Sequence, residues 1–134
     1  MTKERLRAFR TLVLEQKQIR GQLKAVEARM YSIGGQQFSL TPRGGGNRGH
    51  TMDDLVSGHD RLQRLYKQKL AALEKEQAEI EEALSVLTPN ERLVIRARYF
   101  EGKSWDDVCR VVHYEWAQTH RLHGSALQKL GAQK

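Results

Sequence analysis

The sequence contains one cysteine, two prolines and no long apolar run. The single cysteine, Cys109, leaves no partner for an internal disulfide and is too little for a cysteine-rich zinc site. No stretch approaches the ~20 consecutive apolar residues of a membrane-spanning helix. The basic start of the chain also has no apolar core of a secretory signal behind it. These absences predict a cytoplasmic protein without membrane contact, and the scarcity of proline allows long helices.

The chain is basic, with a formal net charge of +7 and a pI near 9.8. This charge is uneven: residues 1–50 carry +7, residues 51–87 carry −3 and residues 88–134 carry +3. The first two segments could therefore pair electrostatically. A positive balance favours a polyanionic partner, although each charge taken singly is typical of a solvated helix face.

Two long segments have the apolar spacing of amphipathic helices, with a narrow stripe over residues 3–33 that polar Gln16 and Arg20 interrupt. A heptad seam follows over residues 52–87. The seam consists of Met52, Leu55, His59, Leu62, Tyr66, Leu70, Leu73, Gln77, Ile80, Leu84 and Leu87. With a glycine-rich loop at residues 34–51, residues 1–87 predict an antiparallel helical hairpin. Because two helices bury little surface, we expect a homo-oligomer through these helices, or packing on the C-terminal domain.

Residues 88–134 predict a three-helix domain. Thr88 begins a capping box with Glu91, and Ser104 caps a second helix with Asp107 as its reciprocal partner. The second helix reaches about Val112, and the third runs from about residue 115 to 130. The side chains expected to face inward are Leu93, Val94, Ala97, Phe100, Val108, Cys109, Val112, Leu122, Ala126, Leu127 and Leu130. The predicted fold is all-α: a coiled-coil hairpin followed by a helix-turn-helix domain.

The amino-acid sequence of the C-terminal segment is more informative than the spacing of its predicted helices. Residues 87–108, LTPNERLVIRARYFEGKSWDDV, resemble region 4 of bacterial sigma-70-type factors. Residues 116–127 look like the end of a phage and prophage family related to the late-transcription activators RinA and ArpU. The phrase TPRGGG at residues 41–46 matches that family's loop, so the resemblance covers nearly the whole chain. It implies a DNA-binding activator of phage late genes that acts with RNA polymerase.

The resemblance also implies that the third helix reads double-stranded DNA. The candidate base-reading residues are Glu115, Ala117, Gln118 and Arg121. Glutamine can bond adenine with two hydrogen bonds, and arginine can do the same with guanine. Glu115 departs from the family, which often has Arg or Lys here, and it would repel phosphates unless it accepts from a cytosine amino group.

Phosphate contacts are expected from residues that flank the recognition helix. The candidates are Lys103, Ser104, Arg110 and His120, with Arg43 and Arg48 of the glycine-rich loop as a possible DNA-contacting arm. Ser104 starts a helix, where backbone N–H groups favour an anion. Trp105 is expected in the core, whereas Trp116 suits either the turn or the DNA side.

No catalytic or metal site is expected, and neither is a cofactor. His120 and His123 are three residues apart on one helix, but no third ligand is evident and no nucleophile-base set stands out. Two alternatives to a transcription regulator stay open. One is a DNA-packaging oligomer resembling small terminase subunits. The other is a protein-only coiled-coil adaptor of RNA polymerase that never touches DNA.

Overall fold

The computed structural model describes residues 1–35 and 52–132, and the regular structure within these ranges is entirely helical. The elements are α1 (Lys3–Gly35), α2 (Met52–Ala83), a 3-10 turn (Leu84–Val86), α3 (Pro89–Ile95), a π-helical turn (Arg96–Phe100), α4 (Trp105–Val112) and α5 (Trp116–Gly131). The predicted all-α class is confirmed. Most of the glycine-rich segment, with Arg43 and Arg48, lies outside the described residues. Over the described ranges, no helix has the length and apolar character needed to cross a bilayer.

The predicted seam of α2 is confirmed, because each of its residues is buried or half-buried. The α-helix ends at Ala83, earlier than the predicted end at residue 87. A 3-10 turn follows, and Leu87 is extended, with φ −88° and ψ 157°. Thr88 has to be extended as well to cap α3 before Pro89, so the helix must end ahead of these two residues.

The buried stripe of α1 differs in one step from its prediction. Ile19 is buried and Arg20 is exposed, so the stripe passes from Gln16 to Ile19 to Leu23. Gln16 is itself buried, and its side-chain Nε2 donates to the Tyr66 carbonyl at 3.0 Å. The polar interruption is therefore an interhelical hydrogen bond between α1 and α2.

The chain forms two compact units. The larger unit consists of Met1–Glu15 and Leu70–Lys134, and the smaller unit is Gln16–Lys69. This division crosses both long helices, whereas the predicted domains meet between residues 87 and 88. The reason is an apolar cluster that joins the start of α1 and the end of α2 to the C-terminal helices. The cluster contains Leu6, Phe9, Val13, Ile80, Leu84, Leu87, Ile95, Tyr99, Ala126 and Leu130.

A second apolar cluster forms the centre of the helix-turn-helix. It consists of Val94, Ala97, Val108 and Val112, with Trp105 and Leu122 packed against it. The prediction that Leu93 faces inward is wrong, since this side chain is 41% exposed. Ile95 and Tyr99 are buried instead. This part of the chain packs on two sides, because one face contacts the second cluster and the other contacts α1 and α2.

Glu91 connects the start of α3 to α5. The predicted capping box is present: Glu91 N–H donates to Thr88 Oγ1 at 3.3 Å, and Thr88 N–H donates to Glu91 Oε1 at 2.9 Å. The same buried carboxylate also accepts from Ser125 Oγ at 2.5 Å and from Lys129 Nζ at 2.8 Å. One side chain therefore caps α3 and fixes the position of α5.

Candidate nucleic-acid interface

A tight turn joins α4 to α5. His113 ends α4 in the left-handed conformation, with φ 60° and ψ 36°, and the Tyr114 N–H donates to the Cys109 carbonyl at 3.3 Å. Glu115 is extended and acts as the N-cap of α5, so it precedes the helix. Thr119 is fully buried and anchors the first turn of α5. A short helix, a tight turn and a longer helix form the arrangement of a helix-turn-helix.

The candidate base-reading residues lie on the accessible side of α5 and its cap. Glu115, Ala117 and Arg121 are exposed, and Gln118 is half-exposed. The opposite side of the helix is buried by Thr119, His123, Ala126 and Leu130. The structure therefore brings the four predicted residues to one accessible end of α5.

Two of these side chains bond to each other. Arg121 donates to Gln118 Oε1 from Nε at 3.2 Å and from Nη2 at 2.9 Å. The interaction fixes the plane of the guanidinium while it leaves Nη1 available. It also occupies the amide oxygen that glutamine would use to accept from adenine.

The three phosphate candidates on or next to α4 have access to solvent. Ser104 caps α4 by accepting from the Asp107 N–H at 3.3 Å. The Asp107 carboxylate forms an ion pair with Arg110, so the expected reciprocal cap is replaced by a surface pair. Lys103 Nζ lies 3.6 Å from Glu101 Oε1. Arg110 and Lys103 thus each stand beside a carboxylate, which weakens their attraction for a phosphate.

His120, the fourth phosphate candidate, is placed in an aromatic stack. Its ring centroid lies 3.8 Å from that of Trp116 and 4.3 Å from that of Trp105. Its Nε2 atom is buried and has no hydrogen-bond partner within the described ranges. Because Nε2 is buried, this placement does not favour a contact between Nε2 and a phosphate of a DNA backbone. The stack joins the first turns of α4 and α5, so its effect on the helix-turn-helix is structural.

The two tryptophans differ in exposure. Trp105 is half-buried and packs on the second cluster, as predicted for a core residue. Trp116 is 61% exposed even though it stacks on His120. Trp116 therefore contacts the protein through one part of its ring and presents the rest at the start of α5.

The sequence prediction missed the role of Arg10. Its Nε donates to the Arg98 carbonyl at 3.1 Å, and its Nη2 donates to the carbonyls of Gly102 at 3.2 Å and Lys103 at 3.5 Å. Arg98 Nη1 also donates to Lys103 O, at 3.0 Å. The loop ahead of α4 turns at Gly102, with φ 71°, and these two arginines hold it. The spacing of Lys3, Arg7 and Arg10 on one side of α1 was the available signal.

A buried polar pair joins the π-helical turn to α5. The Tyr99 hydroxyl and His123 Nε2 are 2.7 Å apart, and both side chains are buried. Burial, reinforced by nearby cations and His120, lowers the pKa of His123 to about 4. The imidazole is therefore neutral at pH 7, and its Nε2 can accept a hydrogen bond from the Tyr99 hydroxyl. In the described part of the chain, no group of three His, Cys, Asp or Glu side chains could hold a metal ion.

The arrangement is suited to contact with the edges of bases. It presents hydrogen-bonding side chains on the accessible side of α5, and the neighbouring helix α4 carries Ser104 at its start and Arg110 in its last turn. In the comparisons with known proteins, neither a family model, nor a curated protein, nor a solved structure matches the chain.

Proposed function

We propose that the protein is a sequence-specific DNA-binding transcription regulator in which α5 enters the major groove of double-stranded DNA. The observation that carries this proposal is the accessible row of Ala117, Gln118 and Arg121 on a helix that follows a tight turn from α4. An α-helix fits the major groove, where each base pair presents a distinct pattern of donors and acceptors.

Arg121 is the principal base-reading residue of the proposal. Its guanidinium is exposed and is held in one plane by Gln118, which suits a bidentate contact with guanine O6 and N7. Ala117 offers an apolar surface for a thymine methyl group. Glu115, at the helix cap, is placed to accept from a cytosine amino group.

Phosphate contacts come from the surroundings of α4. Ser104 and Lys103 lie at the start of this helix, and Arg110 lies in its last turn. Residues 88–134 have a net charge of only +3, so one copy of the domain gains limited affinity from counterion release. We therefore propose that the protein forms a homo-oligomer through its two long helices. The oligomer would read two half-sites.

The resemblance to RinA, ArpU and sigma-70 region 4 gives the proposal its biological setting. In that setting the protein acts on DNA in the bacterial cytoplasm and activates phage late genes together with RNA polymerase. A contact with polymerase would supply further affinity that the modest charge of the domain lacks.

Selection from random DNA duplexes at physiological salt tests the proposal. We expect an enriched motif, with a palindrome if a symmetric dimer binds. Arg121→Ala should lose preference at one guanine position, whereas Arg64→Ala, which removes an exposed arginine of the smaller unit, should keep it. A selection without enrichment, with binding that disappears as salt rises, would contradict sequence-specific recognition.

The two alternatives give different results in the same samples. A DNA-packaging oligomer would form a ring of subunits, which light scattering detects as a large defined mass. A protein-only adaptor would bind no duplex at any salt concentration, and it would bind RNA polymerase without DNA. Either result would replace the proposed function.

A further inference from the structure

A basic cavity lies within the larger unit, between the first turns of α1 and the helix-turn-helix. Its volume is about 450 Å³, which is in the range of small-molecule sites. Four basic side chains line it: Lys3, Arg7 and Arg10 from α1, and Arg98 from the π-helical turn. Among the described residues that line it, none is acidic.

The positive charges of this cavity are not balanced by carboxylates in its wall. Arg10 and Arg98 donate to backbone carbonyls, which leaves their net charge in place. Arg98 also lies over the ring of Trp105, at 4.6 Å from its centroid. Burial and the charge of Arg10 lower the pKa of Arg98. A wall of one charge sign concentrates a positive potential in the space that it encloses.

The cavity wall also includes buried polar side chains. Tyr99 and His123 line the cavity and are only 3% and 8% exposed. His120 lines it as well, and its Nε2 is buried without a hydrogen-bond partner in the described ranges. A cavity of this volume has room for a small anion.

We infer that this cavity binds a small molecule that carries a pyrophosphoryl group, such as inorganic pyrophosphate or a nucleoside diphosphate. A pyrophosphoryl group carries about three negative charges at pH 7, because a terminal phosphoryl group carries about −1.5 to −2 and the group linked to it carries about one more. That charge balances most of the four positive charges of Lys3, Arg7, Arg10 and Arg98, whereas one phosphate would balance only about half of them. Arginine suits this role because its planar fork bonds phosphate oxygens in pairs.

The site is separate from the row of residues that the proposed function assigns to DNA. Arg121 and Gln118 do not line the cavity. His120 and Trp105 do line it, and they stack between the first turns of α4 and α5. A ligand in the cavity would therefore contact the aromatic stack that joins the two helices.

The test uses Trp105 as a reporter inside the cavity wall. The chain has two tryptophans, so Trp116→Phe leaves Trp105 as the only one. Pyrophosphate, ADP, AMP and inorganic phosphate are titrated into this variant at constant ionic strength, and calorimetry repeats the titrations on the unmodified chain. We expect pyrophosphate and ADP to bind at least tenfold more tightly than AMP or phosphate. Tighter binding of ADP than of pyrophosphate would assign the site to nucleotides, and the reverse would assign it to the inorganic ion.

Substitutions of exposed cations then locate the binding. Lys3→Ala combined with Arg7→Ala should weaken pyrophosphate binding at least tenfold. Lys24→Ala, an exposed lysine of α1 in the smaller unit, should leave it unchanged. Urea unfolding checks that each variant folds, and Arg7→Lys should restore part of the affinity.

Two results would overturn the inference. One is equal affinity for pyrophosphate and phosphate in the unmodified chain. The other is weaker DNA binding in the Lys3 and Arg7 variant without any change in pyrophosphate binding, which would make these cations contacts to the DNA backbone. The proposed function fails separately, through the loss of selected motifs and through Arg121→Ala.

Discussion

Arg121 and Gln118 form a hydrogen-bonded pair on the accessible side of α5, with Gln118 Oε1 accepting from Nε and Nη2 of the arginine. The pair orders a long side chain that would otherwise lose rotamer freedom when it binds. The pair also leaves the two residues with different capacities to bond a base, because the arginine keeps free donors while the glutamine oxygen is occupied.

We therefore expect Arg121→Ala to weaken binding to the selected DNA by ~1–3 kcal/mol, the range for one bidentate base contact. Gln118→Ala should cost less, since it removes the support of the arginine and not the contact itself. Fluorescence anisotropy at fixed salt measures both affinities, with Arg64→Ala as the charge-matched control. A larger loss for Gln118→Ala than for Arg121→Ala would show that the glutamine reads the base directly.

Glu91 should make the larger unit sensitive to acid. Burial raises the pKa of this carboxyl, but the bonds from Lys129, Ser125 and Thr88 outweigh that effect and bring its pKa to about 2. A carboxyl with a lowered folded-state pKa stabilises the protein above its ordinary value of 4.5 and loses this contribution as pH falls towards 2. The expected loss from neutral pH to pH 3 is ~2 kcal/mol.

Urea unfolding of Glu91→Gln at pH 7 and pH 3 measures this contribution. The variant should be less stable at pH 7 and should lose less stability on acidification than the unmodified chain. Glu82→Gln, which changes an exposed carboxylate of α2, supplies the control. Parallel pH dependence of the Glu91 variant and the unmodified chain would contradict the stabilising role of the Glu91 carboxylate.

His123 should also make the larger unit sensitive to acid, but in a higher pH range and because the folded chain favours its neutral form. Burial first, and then the charges of Lys3, His120, Arg98 and Arg7, lower its pKa to about 4. Because the unfolded chain binds this proton more readily, stability is full above pH 6.5 and falls as pH decreases towards 4. Between pH 7.5 and pH 5 the expected loss is ~2 kcal/mol.

His123→Gln isolates this effect, because glutamine can still bond the Tyr99 hydroxyl without taking up a proton. Subtracting its unfolding free energy from that of the unmodified chain at each pH removes the shared titrations. The difference should change by ~2 kcal/mol between pH 7.5 and pH 5. A constant difference would mean that His123 has the same pKa in the folded and unfolded chain.

Local signals predicted the ends and faces of most helices correctly. The capping box at Thr88 depends on residues three apart, and the seam of α2 depends on steps of three and four. The exception at Leu93 has a physical reason: the α3 segment packs on two sides, and a single amphipathic stripe cannot describe two buried faces.

The candidate sites were predicted less completely, because their contacts join distant parts of the chain. The spacing of Lys3, Arg7 and Arg10 indicates a basic side of α1, but it does not predict that Arg10 bonds carbonyls near residue 100. His120 illustrates the same limit. The sequence predicts a phosphate contact for His120, but it does not predict that this ring packs between two tryptophans that only the folded turn brings together.

The turn of the helix-turn-helix should tolerate glycine better than its natural residue. His113 has φ 60°, a conformation that costs a side-chain-bearing residue energy and that glycine adopts readily. We expect His113→Gly to raise the free energy of unfolding by about 0.5 kcal/mol, after the added flexibility of the unfolded chain is counted. Valine, which is branched at Cβ, should lower it by about 1–2 kcal/mol.

Thermal and urea unfolding of the two His113 variants measure this order of stability. The DNA affinity of the variants should change much less than their stability, because the His113 side chain is exposed and glycine retains the turn geometry. A glycine variant that is less stable than the unmodified chain would show that the His113 side chain makes a stabilising contact.

Gln16 should limit the stability of the smaller unit. Its Nε2 bonds the Tyr66 carbonyl, but its buried Oε1 has no hydrogen-bond partner within the described ranges. A buried unpaired acceptor costs roughly 1–3 kcal/mol, and leucine at this seam position would replace it with apolar contact. Gln16→Leu should therefore raise the free energy of unfolding by ~1 kcal/mol, whereas Gln18→Leu, at an exposed position, should change it little. A polar residue in a helical seam can also fix its register. If Gln16→Leu changes the oligomer mass measured by light scattering, the role of Gln16 is to specify the register and the oligomeric state of the helices, and not to stabilise them.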